Sequence, residues 1–222
     1  MITVHHLNNS RSQRVLWLLE ELGVPYEIKT YQRDAKTSLA PPELFAVHPL
    51  GKSPVITEGD LTLAESGAII EYLVERHGNG GWVPPPGSPE RIRYSYWMHF
   101  AEGSAMPPLV MKLVFNRIEN APMPFFAKPI ARAIAKKTKT GFIDPNVDRN
   151  AAYVEAELGQ SEWFAGSEFT AADIQMSFPV EAFVARGRKV ERPNMKRFLE
   201  RIHARPAYKR ALERGGEFSI LR

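Results

Sequence analysis

The chain has 222 residues, contains no cysteine and carries a formal net charge of +4. The lack of cysteine excludes disulfides, CxxC redox chemistry, cysteine-based zinc sites and a cysteine nucleophile. No apolar run approaches the ~18 residues that a membrane span needs. The N-terminus also lacks the layout of a signal peptide, so a cytoplasmic protein is expected.

The first 80 residues alternate short strands with helices. Alternating β-branched and apolar residues predict strands, and apolar residues at helical spacing predict helices. The predicted strands are Ile2–Leu7, Tyr26–Tyr31, Pro54–Thr57 and Leu61–Ala64. The predicted helices are Arg11–Leu22, a short one from Pro41 to Val47, and Ser66–His77. The order is therefore βαβ, a short helix, and then ββα.

Residues 78–89 are rich in glycine and proline, which predicts a non-helical linker. We therefore expect a first domain over residues 1–80, a linker over 81–89 and an all-helical domain over 90–222. Helices are predicted at Arg91–Met106, Leu109–Ile118, Ala127–Lys139, Val147–Leu158, Ala171–Ala185, Met195–Ala204 and Ala207–Arg214. Pro107 and Pro108 predict a kink or break between the first two of them. Thr170 and Asp173 predict a capping box, a folding element, at the start of the helix from Ala171.

Five motifs in order give the whole chain a family likeness. They are SRSQRVLWLLEELG (10–23), YQRDAKTSLAPPEL (31–44), HPLGKSP (48–54), LAESGAIIEYL (63–73) and FTAADI (169–174). Together they resemble the glutathione transferase family, in particular its fungal and bacterial subgroup. The resemblance implies an α/β thioredoxin-like N-terminal domain, an all-α C-terminal domain, and glutathione as the co-substrate.

The resemblance implies how glutathione is held. Pro54 is expected to follow a cis peptide bond, which turns the backbone of Ser53 toward the cysteine of the tripeptide as an added strand. Glu65 is expected to pair with the γ-glutamyl ammonium. Ser66, at a helix start, is expected to bind the γ-glutamyl carboxylate. Lys52 is placed near the glycine carboxylate. An ordinary trans-proline turn and a plain N-cap serine are the structural alternatives.

The family activates the thiol of glutathione with a hydroxyl or a cysteine after the first strand. This chain has no cysteine, and its first tyrosine is Tyr26 on the second strand. Ser10 therefore matches the serine type of the family, with Ser12, Asn8 and Asn9 as alternatives and a helix-capping role for Ser10 also open. His5 and His6 alternate across the strand, so at most one of them faces the site. No metal-ligand spacing is present, and no metal is expected.

The second substrate, a small apolar electrophile, is expected between the domains. Its candidate pocket residues are Trp97, Phe100, Met106 and Phe115. Glu102 is expected to reach the glutathione of a partner subunit, since the family implies a homodimer. The predicted activity is conjugation of glutathione, with glutathione-dependent peroxidase activity as an addition. The alternatives are a non-catalytic carrier of apolar ligands and a protein-interaction module.

The helical part of the chain is basic. Residues 81–222 carry 22 Lys/Arg and 15 Asp/Glu, a net charge of +7. Residues 124–141 combine five Lys/Arg and no acid with apolar residues at helical spacing. Such a helix can associate weakly with an anionic membrane. The alternative is an ordinary surface helix with a charged outer face. Aromatic residues are sparse in the basic segment 186–214, so no nucleic-acid binding is expected.

Overall fold

The computed structural model describes residues 1–35, 37, 39–186, 190–216 and 218. Its strands are β1 (Ile2–Leu7), β2 (Tyr26–Tyr31), β3 (Val55–Glu58) and β4 (Leu61–Ala64). Its helices are α1 (Ser12–Leu22), α2 (Glu43–Val47), α3 (Ser66–His77), α4 (Pro89–Phe100), α5 (Met106–Asn120), α6 (Lys128–Thr138), α7 (Asp144–Glu157), α8 (Ala171–Arg186), α9 (Pro193–Ala204) and α10 (Pro206–Gly215).

The four strands form one mixed sheet in the order β2-β1-β3-β4. β1 runs parallel to β2 and antiparallel to β3, and β3 and β4 form a hairpin. Helix α1 makes the crossover from β1 to β2, as a parallel pair of strands requires. It ends where Gly23 adopts the left-handed conformation, with φ 65°. A four-stranded sheet with its helices, followed by a helical domain, confirms the predicted fold class.

The predicted break at Pro107 and Pro108 needs a correction. Both prolines lie in the first turn of α5, directly after a π-helical turn, so the carbonyls that their missing N–H groups would have bonded belong to that turn. The irregularity comes earlier, as a π-helical turn at Ala101–Ala105 that joins α4 to α5. There the Met106 N–H bonds to the Ala101 carbonyl, one residue further back than in an α-helix. The helix therefore loosens before the prolines instead of stopping at them.

One continuous hydrophobic core joins the sheet side to the helical side. Its largest fully buried side chains include Trp17 on α1, Trp97 on α4 and Phe183 on α8. Trp17 packs edge-on against Tyr208 of α10, with ring centroids 5.2 Å apart. Arg205, which precedes α10, pairs with Glu21, and Arg210 and Arg214 of α10 pair with Glu20. The packing of α10 on α1 places the end of α10 close to β1.

The capping box forms in part. The Asp173 carboxylate accepts the Thr170 N–H at 2.8 Å and, with its other oxygen, the Phe164 N–H at 2.8 Å. The Thr170 hydroxyl donates to the same carboxylate instead of capping the helix. Burial raises the pKa of Asp173 to about 7 against these hydrogen bonds. The motif ties the loop before α8 to the helix start, which is the structural role that the sequence predicts.

Candidate functional site

A cavity of about 220 Å³ opens between the sheet and the first long helix of the C-terminal part. The residues that line it are Arg11, Leu50, Lys52, Ser53, Pro54, Ala64, Glu65, Ser66 and Glu102. They come from the start of α1, the loop before β3, the junction of β4 with α3, and the π-helical turn. All five residues predicted to bind glutathione therefore lie at one cavity.

The loop before β3 shapes one wall of this cavity. The Ser53–Pro54 peptide bond is cis, as the family resemblance implies. The Ser53 hydroxyl donates to the His5 carbonyl at 2.8 Å and accepts the Leu7 N–H at 3.2 Å, so it is tied to β1. The loop is thereby held against the strand that leads to Ser10. Lys52 is exposed beside it.

The junction of β4 with α3 shapes the opposite wall. Glu65 has φ 67° and ψ 116°, a conformation that costs a non-glycine residue about 1–3 kcal/mol. Strain of this kind persists where the surrounding structure requires it, often at ligand sites. It leaves the Glu65 side chain exposed, while Ser66 is buried as the first residue of α3. An acidic side chain and the N-terminus of a twelve-residue helix thus face the same space.

A buried arginine supports this wall. Arg14 of α1 donates to the Ser66 hydroxyl at 2.6 Å and to the Gln175 carbonyl of α8, and it also pairs with Glu102. Burial lowers the pKa of Arg14 to about 10, and the charge of Glu102 acts in the opposite direction. Burial alone would raise the pKa of Glu102, but the charges of Arg14 and Arg11 outweigh it and lower that pKa. Both groups are therefore charged at neutral pH.

Sequence reasoning missed Arg14. It lies four residues before Leu18, on the face of α1 that packs into the core, and an arginine at such a position needs a buried acceptor. Its place on the core-facing side of a predicted helix is the sequence signal that could have identified Arg14 as a functional residue. Glu102 lies at the cavity of its own chain, bound to Arg11 at 3.1 Å as well as to Arg14. Its expected contact with a partner subunit stays a prediction.

Ser10 lies just behind this cavity. Its Oγ is 3.4 Å from the Ser53 Oγ and 2.7 Å from the Ser12 Oγ, and it accepts the Ser12 N–H at 3.2 Å. Among the alternatives, Ser12 is fully buried, and the Asn8 side-chain oxygen accepts the Arg33 N–H. Asn9 is exposed. Ser10 is thus the hydroxyl of this group nearest to the cis-proline loop, and its catalytic role stays a prediction.

The four aromatic and sulfur-containing candidates for the electrophile pocket do not line this cavity in the described part of the chain. Trp97 is 1% exposed and packs against Phe164, with ring centroids 4.7 Å apart. Phe100 and Met106 are buried in the same core, and Phe115 packs at its edge. Spacing on the helix showed that these side chains share an apolar environment, but the structure assigns Trp97 to the core. A role of any of them in binding an electrophile stays a prediction.

No group of three His, Asp or Glu side chains suited to a metal ion occurs among the described residues. None of the helices in the described ranges combines the length and the apolar character needed to cross a bilayer. The chemical groups at the cavity are carboxylates, cations, hydroxyls and the N-terminus of α3. A thioredoxin-like sheet with a cis-proline loop and these groups defines a protein that binds a small peptide-like zwitterion.

Comparison with known proteins agrees with this class. The family models for the glutathione S-transferase N-terminal and C-terminal domains match residues 1–75 and 118–206. Glutathione S-transferase 3 of Schizosaccharomyces pombe is 40% identical over 96% of this chain and 88% of its own length. Glutathione S-transferase 1 of Saccharomyces cerevisiae is 31% identical over 96% of this chain and 95% of its own.

A solved glutathione S-transferase from Actinobacillus pleuropneumoniae shares the fold with a TM-score of 0.82 and 34% identity, covering 100% of this chain and 96% of its own. The chain belongs to the glutathione S-transferase family. The predicted family, enzyme class and co-substrate glutathione are therefore confirmed. The domain boundaries and the individual site residues stay predictions.

Proposed function

We propose that the protein conjugates glutathione to small apolar electrophiles. Residues 1–80 bind glutathione, and residues 90–222 carry the electrophile pocket across the linker 81–89. The observation that supports this proposal is the convergence of Lys52, Ser53, Glu65 and Ser66 on one cavity, with Ser10 directly behind it. These residues come from three separate segments of the chain, and each matches one part of the tripeptide.

Each end of glutathione has a suitable partner in this arrangement. The exposed Glu65 carboxylate pairs with the γ-glutamyl ammonium, and the N-terminus of α3 with the Ser66 hydroxyl receives the γ-glutamyl carboxylate. The backbone of Ser53 pairs with that of the cysteine, as a strand adds to a sheet edge. Lys52 neutralises the glycine carboxylate. The cavity carries Arg11 and Lys52 as cations and Glu65 and Glu102 as anions, a balanced set for a ligand of mixed charge.

Ser10 is proposed as the catalytic residue that stabilises the thiolate. A free thiol has a pKa of ~8.5, so little of it is ionised at neutral pH. A hydrogen bond to a charged group contributes about 1.5–3 kcal/mol, enough to lower that pKa by about one to two units. The thiolate then attacks the electrophilic carbon, and its electron pair forms the new S–C bond. With an aromatic halide the carbon–halogen bond breaks, and its electron pair leaves with the halide ion.

The test combines retention on glutathione–agarose with conjugation of an aromatic halide by the full chain. We expect Ser10→Ala to be retained but to lose about 10- to 100-fold in turnover, the loss that one such hydrogen bond predicts. Ser88→Ala is the control, because Ser88 caps α4 away from the cavity. Full turnover in Ser10→Ala would overturn the assignment of Ser10. A wild-type protein that is retained but shows no turnover would indicate a carrier of apolar ligands. A wild-type protein that is neither retained nor active would indicate a protein-interaction module. A hydroperoxide in place of the halide tests the peroxidase activity.

A homodimer is also proposed. Ile92 and Tyr96 on α4 are 74% and 47% exposed and border a cavity of about 770 Å³ with Phe100 and His99. Large apolar side chains exposed together on one helix favour a partner. Sedimentation of the wild type against Ile92→Glu tests it, since a charge at an apolar contact is expected to give monomers. An unchanged mass in both proteins would place the contact elsewhere.

Weak association of this cytoplasmic enzyme with anionic membranes is proposed from α6 and the turn before it. Phe125, Phe126, Ile130 and Ile134 are 58–88% exposed, whereas Ala135 is buried. Residues 124–141 also carry five Lys/Arg and no acid. Such a surface suits an anionic lipid interface. Co-sedimentation with phosphatidylserine vesicles is expected for the wild type, and its loss for Phe125→Ser/Phe126→Ser. Equal binding to neutral vesicles would contradict an electrostatic contribution.

A further inference from the structure

A buried chain of hydrogen bonds continues inward from Ser10. The Ser10 Oγ lies 2.7 Å from the Ser12 Oγ, which lies 2.8 Å from Nδ1 of His6 on β1. These three residues are 4%, 0% and 4% exposed. Stabilisation of the thiolate by one hydroxyl, as proposed above, requires only Ser10 and gives no role to Ser12 or His6. The inference drawn from this chain rests on the proposed contact of Ser10 with the thiol.

The direction of the protons follows from the second contact of the His6 ring. The Cε1 edge of the ring lies next to Gly215 at the end of α10. Burial lowers the pKa of His6, and the Gly215 backbone acts in the opposite direction, as a carbonyl acceptor does. Since Nδ1 lies 2.8 Å from the Ser12 Oγ, we infer that Nε2 faces the Gly215 carbonyl and carries the ring proton. The neutral ring then has a free lone pair at Nδ1. The Ser12 hydroxyl donates to this atom at 2.8 Å in preference to the Leu7 carbonyl, which lies at 3.5 Å. The Ser10 hydroxyl in turn donates to the Ser12 oxygen.

The resting site therefore holds the Ser10 proton in the wrong direction for catalysis. Burial lowers the pKa of His6 and outweighs the Gly215 contact, so the ring is neutral at neutral pH. With a neutral ring, the Ser10 proton points toward Ser12 and away from the cavity. The Ser10 oxygen, which also accepts the Ser12 N–H, is left able to accept a proton from the cavity side.

We propose that Ser12 and His6 act with Ser10 as a relay that takes up the proton of the glutathione thiol. The S–H bond breaks and its electron pair stays on sulfur, while the proton bonds to the Ser10 oxygen. The former Ser10 proton moves to the Ser12 oxygen, and the former Ser12 proton moves to Nδ1 of His6. The products are a thiolate and an imidazolium, and every hydrogen bond of the chain now points toward the sulfur.

Ser10 touches the reacting atom, whereas Ser12 and His6 act through it as positioning residues. When the S–C bond has formed, the thioether sulfur no longer needs the donor. The relay then runs in reverse, and Ser10 passes the proton to the water that replaces the product. The thiol proton therefore leaves the protein after the chemical step instead of before it.

Ser12, which hydrogen-bonds to the His6 ring, is neutral, and the charged side chains on the surrounding elements have other partners in the described part of the chain. On α1, Arg11 and Arg14 bind Glu102, and Glu20 binds Arg210 and Arg214 of α10. On β2, Lys29 lies over the ring of Tyr31, and its charge acts on His5. On β3, Glu58 accepts from Tyr72. The thiolate is thus the charge that an imidazolium at His6 would meet through the relay, and the two ions form together.

Proton counting tests the relay directly. The full chain is mixed with glutathione in weak buffer, the thiolate is followed by its ultraviolet absorbance, and released protons by an indicator dye. S-methylglutathione, which has no thiol, corrects for protons moved by binding alone. The measurement is made below the pKa of the free thiol, ~8.5. We expect the wild type to release well under one proton for each thiolate formed.

Two variants break the relay at different atoms. His6→Gln and Ser12→Ala are expected to release about one proton per thiolate, because the acceptor is gone or disconnected. Their thiolate titrations are expected to move upward by roughly one pH unit. That shift lowers turnover about tenfold at a fixed pH below the titration, with the KM for glutathione unchanged. Ser12→Ala leaves the ring in place, so it serves if His6→Gln folds poorly.

His5→Gln is the matched control. His5 neighbours His6 on β1 but faces the opposite side, where its ring bonds to Tyr31 and Thr57. We expect it to keep both the proton ratio and the thiolate titration of the wild type. Release of one proton per thiolate by the wild type would overturn the relay while leaving the function of Ser10 intact. Absence of any thiolate in the wild type would overturn the proposed function together with the relay.

Discussion

Arg14 joins three elements around the proposed γ-glutamyl site, and its loss is expected to affect both stability and binding. Its side chain is 1% exposed and holds Ser66 at the start of α3, Gln175 on α8 and Glu102. Methionine has a similar length and no charge, so Arg14→Met removes these bonds while filling much of the space. The Ser66 hydroxyl then loses its buried donor.

The size of the effect follows from the exposure of the two partners. Removing one partner of a buried ion pair costs about 3–5 kcal/mol. The Glu102 side chain is 32% exposed and keeps Arg11, so we expect the lower end of this range, about 3 kcal/mol. For a chain of this length each kcal/mol lowers Tm by about 2–4 °C, which gives a fall of roughly 6–12 °C. Loss of the bond to Ser66, worth about 1 kcal/mol, raises the KM for glutathione about fivefold.

Arg11→Met provides the matched comparison. Arg11 binds the same carboxylate, but its side chain is 31% exposed. A pair of this kind contributes about 0–1 kcal/mol. Urea unfolding of both variants, with steady-state kinetics at varied glutathione, measures the difference. If the two variants lose the same stability, or if Arg14→Met keeps the wild-type KM, the assignment of Arg14 as the support of the Ser66 wall is wrong.

Three further predictions concern the cavity wall, the loop before α8 and acid stability. Glu65→Gln is expected to raise the KM for glutathione about tenfold with little change in kcat, because a charge-assisted bond contributes about 1.5–3 kcal/mol; an unchanged KM in steady-state kinetics would contradict the pairing with the ammonium. Asp173→Ala leaves the N–H groups of Phe164 and Thr170 unpaired and is expected to lower the free energy of unfolding by about 2–5 kcal/mol in urea, with a smaller loss for Asp173→Asn, which keeps an acceptor. The pKa of Glu102 is lowered in the folded state, so its contribution to stability is complete above its unfolded value of ~4.3 and is lost as the pH falls below it. The free energy of unfolding is therefore expected to fall less steeply below about pH 4.3 in Glu102→Gln than in the wild type, and equal slopes would refute the linkage.

Local signals in the sequence determined the elements of the N-terminal part. The observed bounds of β1, β2, β4 and α3 equal the predicted ones, since short alternating runs and glycine stops are properties of neighbouring residues. The observed α1 starts one residue later than predicted, and the observed β3 is shifted by one residue at both ends. The cis peptide at Pro54 was also expected, but from the family motifs and not from spacing.

Only the tertiary structure decided which side chains meet. Arg14 and Glu102 are 88 residues apart, and helical periodicity shows which face of a helix is buried without showing its partner. The same limit explains Trp97, whose apolar spacing fits a pocket wall as well as the core in which it lies. His6 reaches Ser12 because α1 packs on β1, and its ring lies next to Gly215 at the far end of the chain. Elements follow from interactions between near neighbours in the chain, whereas the chemistry of this site depends on contacts that form only when distant segments pack together.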